Sequence, residues 1–356
     1  MRTIAFFFLL CCLTAATAEA GRKKKPPKTV SPPTLVEMIA RAKKKLAGQS
    51  VGTSKVGGDN AVLAVWKPGT AKLAVVKVRK GRSVTKGYRV TLLKRNGVNS
   101  EYRVDAPSDF VVLAIKTNVK KRPLGRKRRS VAVIYAPYGA HLDTAEMRRR
   151  GRAYLHDIAT RAIAKLQARD VRSRTDPDTL VTAMVDERVL LTLLVIEHID
   201  PPDFDARGAE ATANRVLSLI GANQGDAYDH AFSDADAGGL AQFRPKTYAE
   251  IRDDYPDAKL KAEFYAGVRD HINGVMAQYC YVDFTLARLD ATILKRLQSD
   301  ANEQGAYLAA AYNHGLYGAA KIIAKHPDAW DKPGNGFSKA NLQYVKEFRA
   351  VYRYLW

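Results

Sequence analysis

The hydrophobic pattern of this chain changes period once, between about residues 137 and 142. Before that point apolar residues fall in short, partly alternating stretches: AVLAVWK, KLAVVKV, YRVTLLK, EYRV, FVVLAIK and SVAVIYA. A period of two puts alternate side chains on one face of a strand, and valine and aromatic residues suit a pleated surface. Asn96-Gly97 stands between two of these stretches and predicts a type I′ hairpin. Six such stretches predict a small barrel or sandwich. After the change, Leu155, Ile158, Ala162 and Leu166 recur at helical spacing. The chain is therefore expected to be α+β as a whole. A small, basic, all-β domain over residues 51–137 precedes an all-helical domain over residues 138–356.

Within the helical part, residues 189–199, VLLTLLVIEHI, are apolar almost all round, which predicts a helix buried in the domain. Further helices are expected over 211–220, 287–297 and 307–324. Val345, Phe348, Tyr352 and Leu355 make the apolar face of a last one.

Residues 1–20 read as an export signal: Arg2, an apolar run from Ile4 to Leu13, and the small-x-small site Ala18-Glu19-Ala20. The expected location is periplasmic or secreted. Residues 21–50 read as a Lys/Pro-rich tether followed by one short helix from Leu35 to Leu46. Cleavage after Ala20 leaves one cysteine, Cys280, so no internal disulfide is expected. A lone buried cysteine behaves as a small apolar residue, which is the reading taken for Cys280.

Charge is unevenly placed. Residues 21–150 carry 32 Lys and Arg against 7 Asp and Glu, while residues 151–356 carry 25 against 28. The basic excess predicts attraction to an anionic envelope surface. KKRPLGRKRR, residues 120–129, is a basic loop in the same region. Export argues against a nucleic-acid partner, and a monomer is expected.

Glu197 ends the most apolar helix. Burial of a carboxylate raises its pKa and keeps it protonated, as a general acid must be. The helix alone also allows a glutamate that faces solvent. Two other stretches bear on the choice. SDADAGGLAQFRPKTY, residues 233–248, and AAAYNHG, residues 309–315, combine small residues with amides and a tyrosine. The first resembles the Ser-x-x-Gly-Ala-x-Gly-Leu-Met-Gln-x-x-Pro-x-Thr signature of soluble lytic transglycosylases and goose-type lysozymes. Ser233, Ala237, Gly239, Leu240, Gln242, Pro245 and Thr247 stand at matching positions. The second resembles that family's Ala-Tyr-Asn-x-Gly box through Tyr312, Asn313 and Gly315, and the final helix is similar to its closing Tyr-Val helix.

The resemblance covers roughly residues 190–356 and implies a lysozyme-like helical domain that cleaves peptidoglycan glycan strands without a cofactor or metal. It implies Glu197 as the acid, Tyr312 as the residue that orients it, and Ser233, Gln242 and Asn313 as substrate contacts. The small residues would let the backbone approach the sugar, and Gln242 would offer both a donor and an acceptor.

There are departures from the pattern. Asp236 and Ala241 replace the usual glycine and methionine, and His198 the usual serine. The family's acid commonly lies about nine residues before the serine, where this chain has Gln224. Taking Glu197 as the acid makes residues 200–229 an insertion, read as a surface excursion. Two rivals remain open. One is a goose-type lysozyme-like hydrolase in which Asp200, Asp203 or Asp205 places a water. The other is a non-catalytic peptidoglycan-binding scaffold with Gln224 in the acid's place. His198 and His314 have no third donor at ligand spacing, so no metal is expected. Asp270-His271 reads as a helix-end hydrogen bond.

Overall fold

Every residue of AVLAVW is buried in strand β1 (Ala61–Trp66), because both faces of its sheet are covered. The computed structural model describes residues 33–52, 60–120 and 130–356. The expected export signal, the tether up to residue 32 and residues 121–129 of the basic loop lie outside them.

The first helix, α1 (Leu35–Ala47), opens on a capping box between Thr34 and Glu37. β1 is followed by β2 (Leu73–Arg79), β3 (Arg82–Ser83), β4 (Arg89–Lys94), β5 (Glu101–Ala106), β6 (Val111–Lys120) and β7 (Ser130–Tyr135). Five strands form an antiparallel sheet in the order β3-β2-β1-β6-β7, and β4 pairs with β5 apart from it. On one face, Met38, Ile39, Ala42 and Leu46 of α1 pack against Val62, Ala64 and Leu113. On the other, Leu63, Val65 and Val76 meet Val90, Tyr102 and Val104 of the β4–β5 pair. The result is an open sheet with a helix on one side and a hairpin on the other, where a barrel or sandwich was expected. Asn96-Gly97 does not make a two-residue turn. Residues 95–100 form the connection, with a 3-10 turn over Gly97–Asn99, and the Ser100 hydroxyl bridges the Asn96 N–H and the Gly97 carbonyl.

The chain continues through α2 (Ala145–Ala168), α3 (Glu187–Ile196), α4 (Pro201–Asn223), α5 (Pro245–Asp254), α6 (Phe264–Arg269), α7 (His271–Leu286), α8 (Ala291–Gln298), α9 (Ala301–His314), α10 (Leu316–Lys325) and α11 (Lys339–Leu355). The molecule is α+β, with α1 and the sheet first and the other helices after them. Leu155, Ile158, Ala162 and Leu166 are all buried on α2, as their spacing predicted. α3 is buried from Val189 to Ile196. Two expectations shift. The region of 287–297 begins as a turn, with α8 starting only at Ala291, and Gly315 (φ 97°) divides 307–324 into α9 and α10.

Residues 200–229 are not a surface excursion. They hold α4, whose second half buries Val216, Leu217, Leu219 and Ile220. α4 crosses α2 at glycines on both sides. A Cβ on Gly151 would lie 2.0 Å from the Leu217 carbonyl oxygen, and one on Gly221 would lie 2.1 Å from that of Met147. Leu219 also packs into the core of the sheet. Asn223 seals this junction: its side chain accepts from the Ala136 N–H (2.9 Å) and donates to the Ala136 carbonyl (3.0 Å).

Candidate active site

Asp186 caps the start of α3, and eight consecutive buried residues then carry the chain inward to Glu197 at its C-terminus. The helix thereby sets a carboxyl at the edge of the core. Glu197 lines a cleft of about 390 Å³ with Gln242, Tyr281, Tyr312, Asn313 and Tyr344. Burial pushes its pKa up to about 8. A hydrogen bond from Tyr344 opposes the rise, and the nearby Glu347 carboxylate adds to it. The group is thus mostly protonated at neutral pH.

The hydroxyl that orients Glu197 belongs to Tyr344 of α11, which donates to Glu197 Oε1 at 2.6 Å. Tyr312, expected in that role, donates to the Ala241 carbonyl instead and packs edge-on against Tyr281 at 4.9 Å. It builds the wall beside the acid. Three residues along α11 from Tyr344 lies Glu347, which is 0 % exposed. Its Oε1 accepts from Gln343 at 3.1 Å, and its Oε2 has no hydrogen-bond partner. Burial raises Glu347 to about 7, opposed by the Gln343 bond, and Asp205 and Asp200 raise it against Lys346.

The loop carrying the first motif is braced by its own amides. Gln242 has left-handed backbone (φ 48°), and its Nε2 donates to the carbonyls of Gly239 (2.7 Å) and Ala231 (3.1 Å). Both N–H donors are used internally, so the side chain offers a ligand only its oxygen, where a donor as well was expected. The glycines permit close packing. A Cβ on Gly238 would lie 2.1 Å from the Phe232 ring, and one on Gly239 (φ 74°) would lie 2.1 Å from the Val268 carbonyl oxygen. Pro245 starts α5, where its missing N–H leaves no bond unmade.

Asn313 is held by α11 as well. Its Oδ1 accepts from Asn341 Nδ2 at 2.6 Å, which leaves its NH2 for a ligand. His314 Nδ1 lies 3.2 Å from Asn341 Oδ1. Ser233 does not join this cleft. It is exposed, its Oγ accepts from the Ala237 N–H at 3.1 Å, and it lines a second hollow that shares Gln242 with the first.

The remaining candidates lie apart from Glu197. Gln224 is exposed at the end of α4 and borders a hollow against α1, with none of the cleft residues around it. Asp200 pairs with Lys94 (3.3 Å), Asp203 with Arg215 (3.2 Å) and Asp205 with Lys346 (3.1 Å), and none of the three lines the Glu197 cleft. His198 faces the second hollow. Its Nε2 donates to the Leu240 carbonyl at 2.8 Å, its ring stacks on Tyr228, and burial pushes its pKa down to about 3. Asp270 caps α7 through the Asn273 N–H, the helix-end bond expected of it. Cys280 is wholly buried in α7, and burial raises its thiol pKa.

Sequence reasoning missed Tyr344, Glu347 and three charged residues of the cleft wall: Arg244, Lys246 and Glu250. Glu250 accepts from the Tyr317 hydroxyl at 2.8 Å. The spacing of Tyr344 and Glu347 on the last helix was the one available signal, since both lie near its apolar face. Comparison with protein-family models, curated proteins and solved structures finds no match.

Proposed function

We propose that this protein is an exported lytic transglycosylase of peptidoglycan. The carrying observation is a carboxyl raised to about 8 that shares a cleft with Gln242, Asn313 and Tyr344. Glu197 protonates the glycosidic oxygen between N-acetylmuramic acid and N-acetylglucosamine as the C1–O bond breaks. The muramoyl N-acetyl oxygen bonds to C1 in its place. The Glu197 carboxylate then takes the proton of the sugar's 6-hydroxyl, whose oxygen displaces the acetamido oxygen at C1 and closes a 1,6-anhydro ring. The proton returns to Glu197, and no water or cofactor is consumed. Tyr344 holds the carboxyl in place and stabilises its ionised form. The Asn313 NH2 and the Gln242 oxygen supply one donor and one acceptor to the acetamido group. Arg244 and Lys246 place positive charge where the lactyl or peptide carboxylates of the substrate pass.

Glu250 supports a second reading. A carboxylate in the same cleft could activate water, which would make the protein a hydrolase with a reducing-end product. Mass spectrometry of digested peptidoglycan separates the two, since the transglycosylase leaves an anhydro end. Glu197→Gln keeps the shape and removes the acid, so cleavage should disappear while glycan binding persists. Wild-type turnover by Glu197→Gln would overturn both enzymatic readings.

A further inference from the structure

We propose that the hollow between the sheet and the α3–α4 corner is a second saccharide site. It continues the Glu197 cleft, so that a glycan strand crosses Gln242 and lies against the end of the sheet. The proposal rests on the glycan-cleaving reading and adds the sheet to its substrate site. The hollow holds about 560 Å³, more than the 390 Å³ around the acid. Gln242 lines both spaces, and the consecutive residues Glu197 and His198 face one each.

Its chemistry suits an uncharged sugar. Asn96 and Asn118 on the sheet side and Ser233 opposite can each donate and accept hydrogen bonds to hydroxyl or acetamido groups. Three cations line it, Lys94, Lys120 and Arg215, against three carboxylates, Asp200, Asp203 and Asp234. Lys94 pairs with Asp200 at 3.3 Å, and Arg215 pairs with Glu101 (2.5 Å) and Asp203 (3.2 Å). An anionic polymer would find little net charge there. The stacked rings of His198 and Tyr228, centroids 3.5 Å apart and 9° from parallel, add a flat apolar surface.

Backbone strain points the same way. Tyr228 (φ 62°) and Gln242 (φ 48°) both line the hollow in left-handed conformation, which is unusual for a bulky residue. Such conformations persist where surrounding structure enforces them, and they concentrate at ligand sites.

The test is calorimetric titration of Glu197→Gln with chitotriose and chitohexaose, neutral probes that differ only in length. The longer probe should bind more tightly. Asn96→Trp, which adds bulk at an exposed loop position, should weaken the hexamer by about tenfold, a loss of about 1.4 kcal/mol. It should leave the trimer and the thermal midpoint unchanged. Equal binding of the hexamer with and without Asn96→Trp would overturn the second site and spare the first. Equal affinity for trimer and hexamer in the parent would do the same. Binding of neither probe would overturn the glycan reading and this proposal with it.

Discussion

At the scale of single residues, the proposed acid, Glu197, is governed by two side chains of α11. Tyr344 bonds Glu197 at 2.6 Å, so Tyr344→Phe removes one hydrogen bond to a group that becomes charged during the reaction. Such a bond is worth roughly 1.5–3 kcal/mol, so turnover should fall about ten- to a hundredfold with little change in thermal midpoint. Unchanged kcat would assign the acid's orientation to other groups. Glu347 acts through charge. It is surrounded by Gln343 and Lys346 of its own helix, Asp200 and Asp205 at the start of α4, and Glu197 at the end of α3. Ionised Glu347 disfavours ionisation of Glu197. Glu347→Gln should therefore lower the Glu197 pKa and move the alkaline limb of kcat/KM to lower pH. A structural role alone would leave that limb in place. The sign for stability follows from the same shifts. Both carboxyls stay protonated in the fold up to about 7 and about 8, whereas their ordinary value is 4.5. Between about pH 4.5 and 8 the unfolded chain binds fewer protons, so stability falls as pH rises. Glu347→Gln should flatten that decline in denaturant titrations across the window.

At the scale of elements, the sequence pattern was a good guide wherever one periodicity ruled. All six apolar stretches of the first half are strands, and the apolar spacing on α2 marks its buried face. Glu197 was noticed for the same reason, since a carboxyl stands out at the end of a helix as apolar as α3. What the pattern hid were close approaches and long-range partners. α7 is buried at all but one of its sixteen positions, and this evenness leaves no amphipathic signal; its polar Asp283 is satisfied only by distant groups, Ser173, Arg174 and Tyr255. Tyr312 and Tyr344 are both tyrosines near the acid, and local sequence cannot say which hydroxyl reaches it. The crossing of α2 and α4 was equally hidden, because a helical glycine carries no hydrophobic signal. Gly151 permits that crossing, and its absent Cβ would meet backbone rather than a yielding side chain. Gly151→Ala raises helix propensity and still should destabilise, by about 1–3 kcal/mol, because the two helices must separate. A rise in the denaturation midpoint would show that the helices part without penalty.

At the scale of the whole molecule, the basic excess of residues 21–150 first suggests a detachable tether, with chemistry confined to the helices. The junction argues for a closer dependence. Leu219 of α4 packs into the sheet's core, Tyr228 touches both cores, and Asn223 holds Ala136, the residue just past the last strand. The Arg215 guanidinium sits 4.6 Å from the Tyr138 ring and reaches Glu101. The described residues from Pro33 to Trp356 form one compact unit. Removing the sheet would expose the apolar side of α4, take Ala136 from Asn223 and take Glu101 from Arg215. Each loss is of the kind that destabilises by more than a surface change. A chain beginning at Tyr138 should therefore unfold at lower denaturant or aggregate, and the full protein should unfold in one transition seen alike by far-UV circular dichroism and tryptophan fluorescence. The proposed attraction of the basic region to an anionic wall does not require a detachable sheet. That attraction should weaken steeply with salt, since exposed charges are screened within about 8 Å at physiological ionic strength. Cleavage of short soluble muropeptide chains should be far less salt-sensitive, because the proposed chemistry lies with a buried carboxyl. If the chain beginning at Tyr138 folds and cleaves short chains at the full rate, the sheet is a tether after all, and α4 is stable without it.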